Sequence, residues 1–206
     1  MKTTRAALLA ASLFLVTGAP VEAKPLALGG KIPSSSTKMK AADGKQVSIA
    51  DVKGEKGTLV VFTCNACPWA KKWESRIVDL GNEAAAKGVG MIAINSNDPA
   101  VNAEDGYEVM QTRAKERGMK FAYAYDATSG VAKAFGATRT PEAFLFDAKG
   151  KLVYHGTIDD NADDAAAVKE AYLNDAVNAV ASGKAVAVSE TKALGCGIKF
   201  RNKSAS

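Results

Sequence analysis

The sequence predicts an α/β domain in which helices cover both faces of one mixed β-sheet. An early apolar strand is followed by a long amphipathic helix and a second apolar strand, which is the order of a parallel crossover unit. Later in the chain, two apolar strands flank a turn at residues 148–150 and predict an antiparallel hairpin. With 206 residues, 47% of them hydrophobic, the chain is long enough to build one such core.

The first half of the domain is predicted to contain the crossover unit. A turn at residues 43–44 and a short strand at 45–49 precede a β-branched and aromatic run at 58–63, which predicts a buried strand. The helix that follows is predicted to end at Gly88, and an apolar strand follows at 89–95. Apolar residues recur along this helix at intervals of three or four, at Trp69, Trp73, Ile77, Leu80 and Ala84.

The second half is predicted to contain three helices and the hairpin. A helix is expected to begin near Asp105, with Glu108 three residues later completing a capping box. The remaining predicted elements are a strand at 121–125, a short helix at 128–135, hairpin strands at 143–147 and 151–156, and a final helix at 163–182.

The first 23 residues have the pattern of a secretory signal peptide. A basic start is followed by an apolar run at 6–16 that is too short to span a bilayer, and then by a small-residue cleavage site ending at Ala23. We therefore expect cleavage after Ala23, export to the periplasm or the cell exterior, and no membrane span in the mature protein. A Gly-, Pro- and Ser-rich stretch at 24–40 predicts a flexible arm, 41–184 the domain, and 185–206 a tail that carries Cys196.

Charge and cysteine content exclude several classes of protein. The net charge of +5 is spread along the chain without a run of like charges, which gives no support for nucleic-acid or membrane-surface binding. Three cysteines are too few for a disulfide-stapled scaffold, and their number is odd. Because export leads to an oxidising compartment, these cysteines can take part in disulfide chemistry.

Two of the cysteines stand where a strand meets a helix. Cys64 directly follows the buried strand, Cys67 comes three positions later, and Pro68 precedes the helical pattern. The free N–H groups and dipole at a helix N-terminus lower the pKa of a cysteine from about 8.5 to roughly 3.5–7.5. We predict a dithiol redox centre in which Cys64, at the helix start and more exposed, attacks and Cys67 resolves. Such a centre needs no cofactor and no metal.

The motif resembles that of a known superfamily. Cys64-x-x-Cys67-Pro68 after a hydrophobic strand is similar to the thioredoxin-like superfamily, and the helix inserted between strands resembles its branch of redoxins, peroxiredoxin-like proteins and exported oxidoreductases. Residues 144–151 look like the redoxin hairpin. The tail around Cys196 is similar to the cysteine-bearing ending of a peroxiredoxin-like subgroup. This resemblance covers residues 41–200 and implies a single thioredoxin-like domain.

The resemblance also implies a substrate groove. Pro141 stands where such folds carry a cis-proline, and there it would present the backbone of Thr140 to an extended substrate strand. The helical spacing of Trp69 and Trp73 favours core packing, although Trp69 is near enough to the thiols to shield them. The chain departs from the family in lacking a buried acid at position 58, where threonine stands, and in lacking an acid shortly after Cys67.

The resemblance implies an exported thiol–disulfide oxidoreductase whose partners are protein or small-molecule thiols and disulfides, together with a redox partner protein. A thiol peroxidase is the second candidate, with peroxide as substrate and Arg139 as a stabiliser of peroxide or thiolate. A copper carrier is the candidate of another class, with the cysteine pair joined by His155 or Cys196. Cys196 is further predicted to be a third redox thiol that exchanges with Cys64; an idle thiol or an intermolecular link is the alternative.

Overall fold

A computed structural model describes residues 24–201 of the protein; the predicted signal peptide, residues 1–23, lies outside the described residues. None of the helices found in residues 24–201 is both long enough and apolar enough to cross a membrane.

The described residues form nine strands and four α-helices. The strands are β1 (Met39–Ala41), β2 (Gln46–Val47), β3 (Gly57–Phe62), β4 (Val89–Asn95), β5 (Ala122–Tyr125), β6 (Arg139–Thr140), β7 (Glu142–Asp147), β8 (Leu152–Gly156) and β9 (Cys196–Gly197). The helices are α1 (Pro68–Ala84), α2 (Tyr107–Glu116), α3 (Gly130–Phe135) and α4 (Tyr172–Ala181).

Seven of the strands form one mixed sheet in the order β2-β1-β5-β4-β3-β7-β8. Its centre is the predicted crossover unit, in which β3 pairs parallel with β4 and β4 pairs parallel with β5. On the other side of β3, the hairpin strands β7 and β8 run antiparallel. The predicted fold class is confirmed: this is a single thioredoxin-like α/β domain.

Helices cover both faces of the sheet. On one face, apolar side chains of α1 and α4 pack on β3, β4 and the hairpin, with Trp73 fully buried at the centre. Met110 of α2 packs nearby against β4 and β5. On the other face, Phe135 of α3 meets Phe62 and Phe144 edge-on, with ring centroids 5.1 and 5.2 Å away. Both faces of the central strands are therefore shielded from water, and this is why these strands are apolar at consecutive positions.

The segment predicted as a flexible arm is instead attached to the domain. Leu26 N–H donates to the Phe135 carbonyl at 3.0 Å, and backbone hydrogen bonds also join residues 29 and 30 to Leu152, each 2.8 Å long. The boundary placed after Lys40 falls inside β1, which the sequence analysis did not predict. Backbone groups of the arm find partners on the sheet, and these contacts order it.

The final helix is shorter than predicted, because it begins at Tyr172 rather than near residue 163. Side-chain oxygens bind the backbone N–H groups of the preceding segment: Asn161 accepts from Asp164 at 2.9 Å, and Asp160 accepts from Lys169 at 3.0 Å. Such side-chain bonds compete with helical ones, and this stretch forms only a short 3₁₀-helix at Ala165–Ala167 before α4.

After α4, the tail runs back across the domain. It first lies beside β8, the last strand of the sheet, where His155 N–H donates to Ser189 and Thr191 N–H donates to His155, each at 3.0 Å. It then reaches the loop before Pro141, where β9 pairs antiparallel with β6 as a small second sheet.

Candidate active site

The two cysteines of the motif lie where β3 leads into α1. The loop between them is held by the carboxylate of Asp105, which is 40 residues away in the sequence but in direct contact. Oδ1 of Asp105 accepts the backbone N–H groups of Asn65 at 2.7 Å and of Ala66 at 3.0 Å. Both cysteines are only 4% exposed, and Asp105 is 1% exposed. Asp105 therefore holds the backbone of residues 65 and 66 in the loop that precedes α1.

Helix α1 begins directly after the cysteine motif, as predicted. Cys67 occupies the N-cap of α1 and Pro68 the first helical position, which suits a residue without an N–H. The prediction that Cys64 lies at the helix start is wrong, and so is the prediction that it is the more exposed thiol. The positive end of the helix dipole therefore acts most directly on Cys67.

Asp105 belongs to a buried polar network beneath the loop. Its second oxygen accepts from Nδ2 of Asn97 at 2.8 Å. Asn65 donates to the Glu104 carbonyl and accepts from the Tyr123 hydroxyl, both at 2.8 Å. The predicted capping box at Asp105 is wrong, because its carboxylate serves the cysteine loop and Gly106 is the N-cap of α2. Sequence spacing gives no sign of a bond between residues 40 positions apart.

The opposite wall of the site is the loop that contains Pro141. The peptide bond between Thr140 and Pro141 is cis, as the resemblance implied. The Cys64 sulfur lies 3.3 Å from the Thr140 hydroxyl, and the Cys67 thiol donates to the Thr140 carbonyl at 3.1 Å. The loop predicted as the substrate groove and the cysteine pair are thus brought into contact.

Glu142, which the sequence analysis overlooked, supports this loop. Its Oε2 accepts the backbone N–H groups of Thr138 at 2.7 Å and Arg139 at 2.8 Å, and Oε1 lies 2.7 Å from Nε2 of His155. The carboxylate is 1% exposed. An acid placed directly before a wholly apolar strand is the one sequence signal that could have revealed it.

His155, a predicted ligand of the copper carrier, contacts Glu142 and Phe144. His155 is buried, stacks on Phe144 at a centroid distance of 4.5 Å, and directs Nε2 at Glu142. Within residues 24–201, no group of three or more His, Cys, Asp or Glu side chains is arranged to hold a metal ion.

Electrostatics distinguish the two motif cysteines. The pKa of Cys67 is lowered to about 4, chiefly because the Cys64 thiol donates to it; burial opposes this shift, and the Cys196 thiol adds to it. The pKa of Cys64 is raised by that hydrogen bond, by burial and by the negative charge of Asp105. Cys67 is therefore the sulfur that ionises first.

The remaining predicted site residues surround this pair. Cys196 is partly buried and packs against the cluster that the motif cysteines form with Ala70. Trp69 is 36% exposed and stacks on Trp73 with ring centroids 5.8 Å apart, so it forms a rim of the site rather than core. Arg139 is exposed, and its guanidinium reaches the Gly195 carbonyl at 3.5 Å, the outer limit of a hydrogen bond.

Comparisons with known proteins agree with this fold. The family model described as Redoxin matches residues 27–172. A hypothetical protein of Sinorhizobium meliloti 1021 is 34% identical, with a TM-score of 0.79 over 86% of this chain and 97% of that one. An uncharacterized conserved protein of Geobacillus kaustophilus is 35% identical, with a TM-score of 0.80 over 87% and 95%.

A more distant structure shares the fold alone. It is a peroxidoxin of Mycobacterium tuberculosis, 16% identical, with a TM-score of 0.57 over 77% of this chain and 97% of that one. A search of curated proteins gave no match.

Proposed function

Because this chain belongs to the Redoxin family and has a thioredoxin-like redox function, we propose that it is a thiol–disulfide oxidoreductase in which Cys64 and Cys67 alternate between dithiol and disulfide. The observation that carries this proposal is the pair of buried thiols that pack in one cluster and both contact Thr140, beside the cis-proline. Their contact allows a disulfide to form between them, and the low pKa of one of them provides the thiolate that exchange requires.

The electrostatics support a particular order of attack. The thiolate of Cys67 attacks a substrate disulfide, forms a mixed disulfide and expels one substrate thiolate. Cys64 then loses its proton and attacks Cys67, which releases the second thiolate and leaves the Cys64–Cys67 disulfide. Two electrons pass to the substrate. These roles are the reverse of those expected from the sequence, because Asp105 disfavours ionisation of Cys64 while the helix N-terminus favours it at Cys67.

Titration in glutathione buffers tests this couple. In the Cys196→Ser variant, which leaves only Cys64 and Cys67, we expect both thiols to disappear together as the buffer becomes oxidising, without dimer formation. A midpoint near about −270 mV would indicate a reductant and one near about −120 mV an oxidant. If both thiols remain free in fully oxidising buffer, the proposed couple does not exist.

Export is proposed on the sequence pattern of residues 1–23. When the whole chain is expressed in a bacterium with a periplasm, we expect periplasmic protein whose N-terminal sequence begins at Lys24. Replacing the apolar run with charged residues should keep the protein unprocessed in the cytoplasm. Full-length protein that begins at Met1 and stays cytoplasmic would contradict the proposal.

A further inference from the structure

The C-terminal tail occupies the groove that was expected to take an extended substrate. Strand β9 lies antiparallel to β6, with Cys196 opposite Thr140 and Gly197 opposite Arg139. Thr140 contacts both motif cysteines, Cys64 through its hydroxyl and Cys67 through its backbone carbonyl. Cys196 therefore lies where the backbone of an extended, disulfide-containing substrate would pair with Thr140.

Specific contacts fix the tail in this place. Ile198 is buried in the core and donates its N–H to the Thr138 carbonyl at 3.0 Å. Lys199 N–H donates to Oδ1 of Asn97 at 2.9 Å, and the Asp98 N–H donates to the Lys199 carbonyl at 2.7 Å. A tail held at successive residues on both sides of the groove is a built-in part of the site.

The approach of the tail depends on a glycine. A Cβ placed on Gly195 would lie 2.2 Å from the Thr140 carbonyl oxygen, closer than side chains approach a backbone oxygen. A Cβ on Gly197 would meet its nearest atom, the Thr138 oxygen, only at 4.0 Å. The residue before Cys196 therefore allows the contact with Thr140, whereas the residue after it does not restrict the tail.

Geometry points to Cys67 as the motif cysteine nearest the tail's pairing partner. Its sulfur lies 3.1 Å from the carbonyl oxygen of Thr140, the residue that Cys196 faces across the β6–β9 pair, and Cys196 packs against the cluster of Cys64, Cys67 and Ala70. We propose that Cys196 is a third redox-active cysteine that exchanges with Cys67, so that the tail is bonded across the groove in one oxidised form. This inference rests on the proposed oxidoreductase function. It replaces the predicted exchange between Cys196 and Cys64.

The exchange between Cys196 and the Cys64–Cys67 disulfide needs no external oxidant or reductant. The Cys196 thiol loses its proton and its sulfur attacks Cys67 in the Cys64–Cys67 disulfide. The Cys67–Cys196 bond forms, the Cys64–Cys67 bond breaks, and Cys64 leaves as a thiolate that takes up a proton. Because Cys196 is more exposed than either motif cysteine, its sulfur is where an incoming thiol can reduce the oxidised protein.

Single-cysteine removals identify the partner of Cys196. In the Cys64→Ser variant, mild oxidation is expected to remove both remaining thiols and to join the tryptic peptide 57–71 to the peptide 193–199. In the matched Cys67→Ser variant, the same treatment should give at least about tenfold less of this joined product, because Cys64 is not in place to react with the tail. Equal yields, or more product in Cys67→Ser, would overturn the assignment.

A pair of glycine variants tests the role of the tail position. In the Cys64→Ser background, Gly195→Ala should reduce the joined product severalfold, whereas Gly197→Ala should leave it unchanged. Circular dichroism confirms that each variant is folded. If Gly195→Ala has no effect, the pairing with Thr140 does not direct the exchange and the inference fails.

The outcomes separate this inference from the proposed function. If the Cys196→Ser protein forms its Cys64–Cys67 disulfide but Cys64→Ser protein yields no joined peptides, the oxidoreductase proposal stands and the third cysteine is idle. If no Cys64–Cys67 disulfide forms, the proposed function fails whatever the tail does. Joined peptides between two protein molecules, seen as dimers, would show an intermolecular link and would also overturn the inference.

Discussion

Replacing Cys67 with serine is expected to lower the rate of dithiol-driven insulin reduction by at least about 10³-fold, to the uncatalysed level. Cys67 has the lowered pKa, occupies the N-cap of α1, and contacts the other two cysteines. A serine hydroxyl does not ionise near neutral pH, so the variant lacks both the attacking thiolate and the common partner of both disulfides. The measurement is the steady-state rate across pH 5 to 8, a range that lies below the ordinary thiol pKa of about 8.5.

Variants of the other cysteines provide the comparison. Cys64→Ser should keep part of the activity, because Cys196 can resolve the mixed disulfide in its place. The double variant Cys64→Ser/Cys196→Ser should trap one substrate thiol per molecule on Cys67. If Cys67→Ser instead traps substrate on Cys64 at the wild-type rate, Cys64 is the attacking cysteine, as the sequence predicted, and the proposed roles are wrong.

Replacing Asp105 with asparagine is expected to destabilise the protein by about 1–3 kcal/mol, the cost of leaving buried polar groups unpaired. The single side-chain oxygen of the asparagine can still accept hydrogen bonds from the backbone N–H groups of the cysteine loop. Its NH₂ group then faces the NH₂ group of Asn97, which cannot turn over without losing its hydrogen bond to Lys199. Chemical denaturation measures the loss.

The same substitution is expected to lower the pKa of Cys64. The hydrogen bond to Cys67 and burial raise this pKa most, and the carboxylate charge of Asp105 adds to them, so removing the charge favours the Cys64 thiolate. Thiolate absorbance in the ultraviolet, followed against pH in a Cys196→Ser background, reports the change even for buried sulfurs. The Cys64 transition should move to lower pH.

Glu104→Gln is the matched control for Asp105→Asn. Glu104 is the neighbouring acid, but its carboxylate is exposed and pairs with Lys71 on the surface. Its loss should change neither the denaturation midpoint nor the thiolate titration beyond experimental error, because exposed ion pairs contribute little. Equal effects of both substitutions would show that general surface charge, rather than the buried bond to the loop, sets the acidity of Cys64.

Local sequence signals were sufficient for the centre of the fold. Strand β3, helix α1 and the β7–β8 hairpin follow from apolar runs, helical spacing and a glycine turn, all of which act over a few residues. The left-handed Gly88, with φ of 76°, ends the helical stretch where its position predicted. The long final helix was wrong because the side chains of Asp160 and Asn161, which precede it, bind backbone N–H groups in its predicted first half.

The site was less predictable, because its decisive contacts join distant parts of the chain. Cys64 and Cys67 were found by their spacing, and Thr140 and Pro141 through resemblance. The bonds from Asp105 to the cysteine loop and from Thr140 to the tail cross 39 or more residues, and no local pattern encodes them. These long-range bonds hold the cysteine loop and place Cys196 opposite Thr140.

The path of the tail beside β8 has a consequence for self-association. As the last strand of the sheet, β8 would otherwise offer unpaired backbone groups to a strand of another molecule, and residues 189–191 cover them at His155. A chain that ends at Ser182 would expose this edge of β8 and the groove beside Thr140. We expect such a protein to form oligomers through the exposed edge strand. The C-terminus thus also helps to keep the molecules apart.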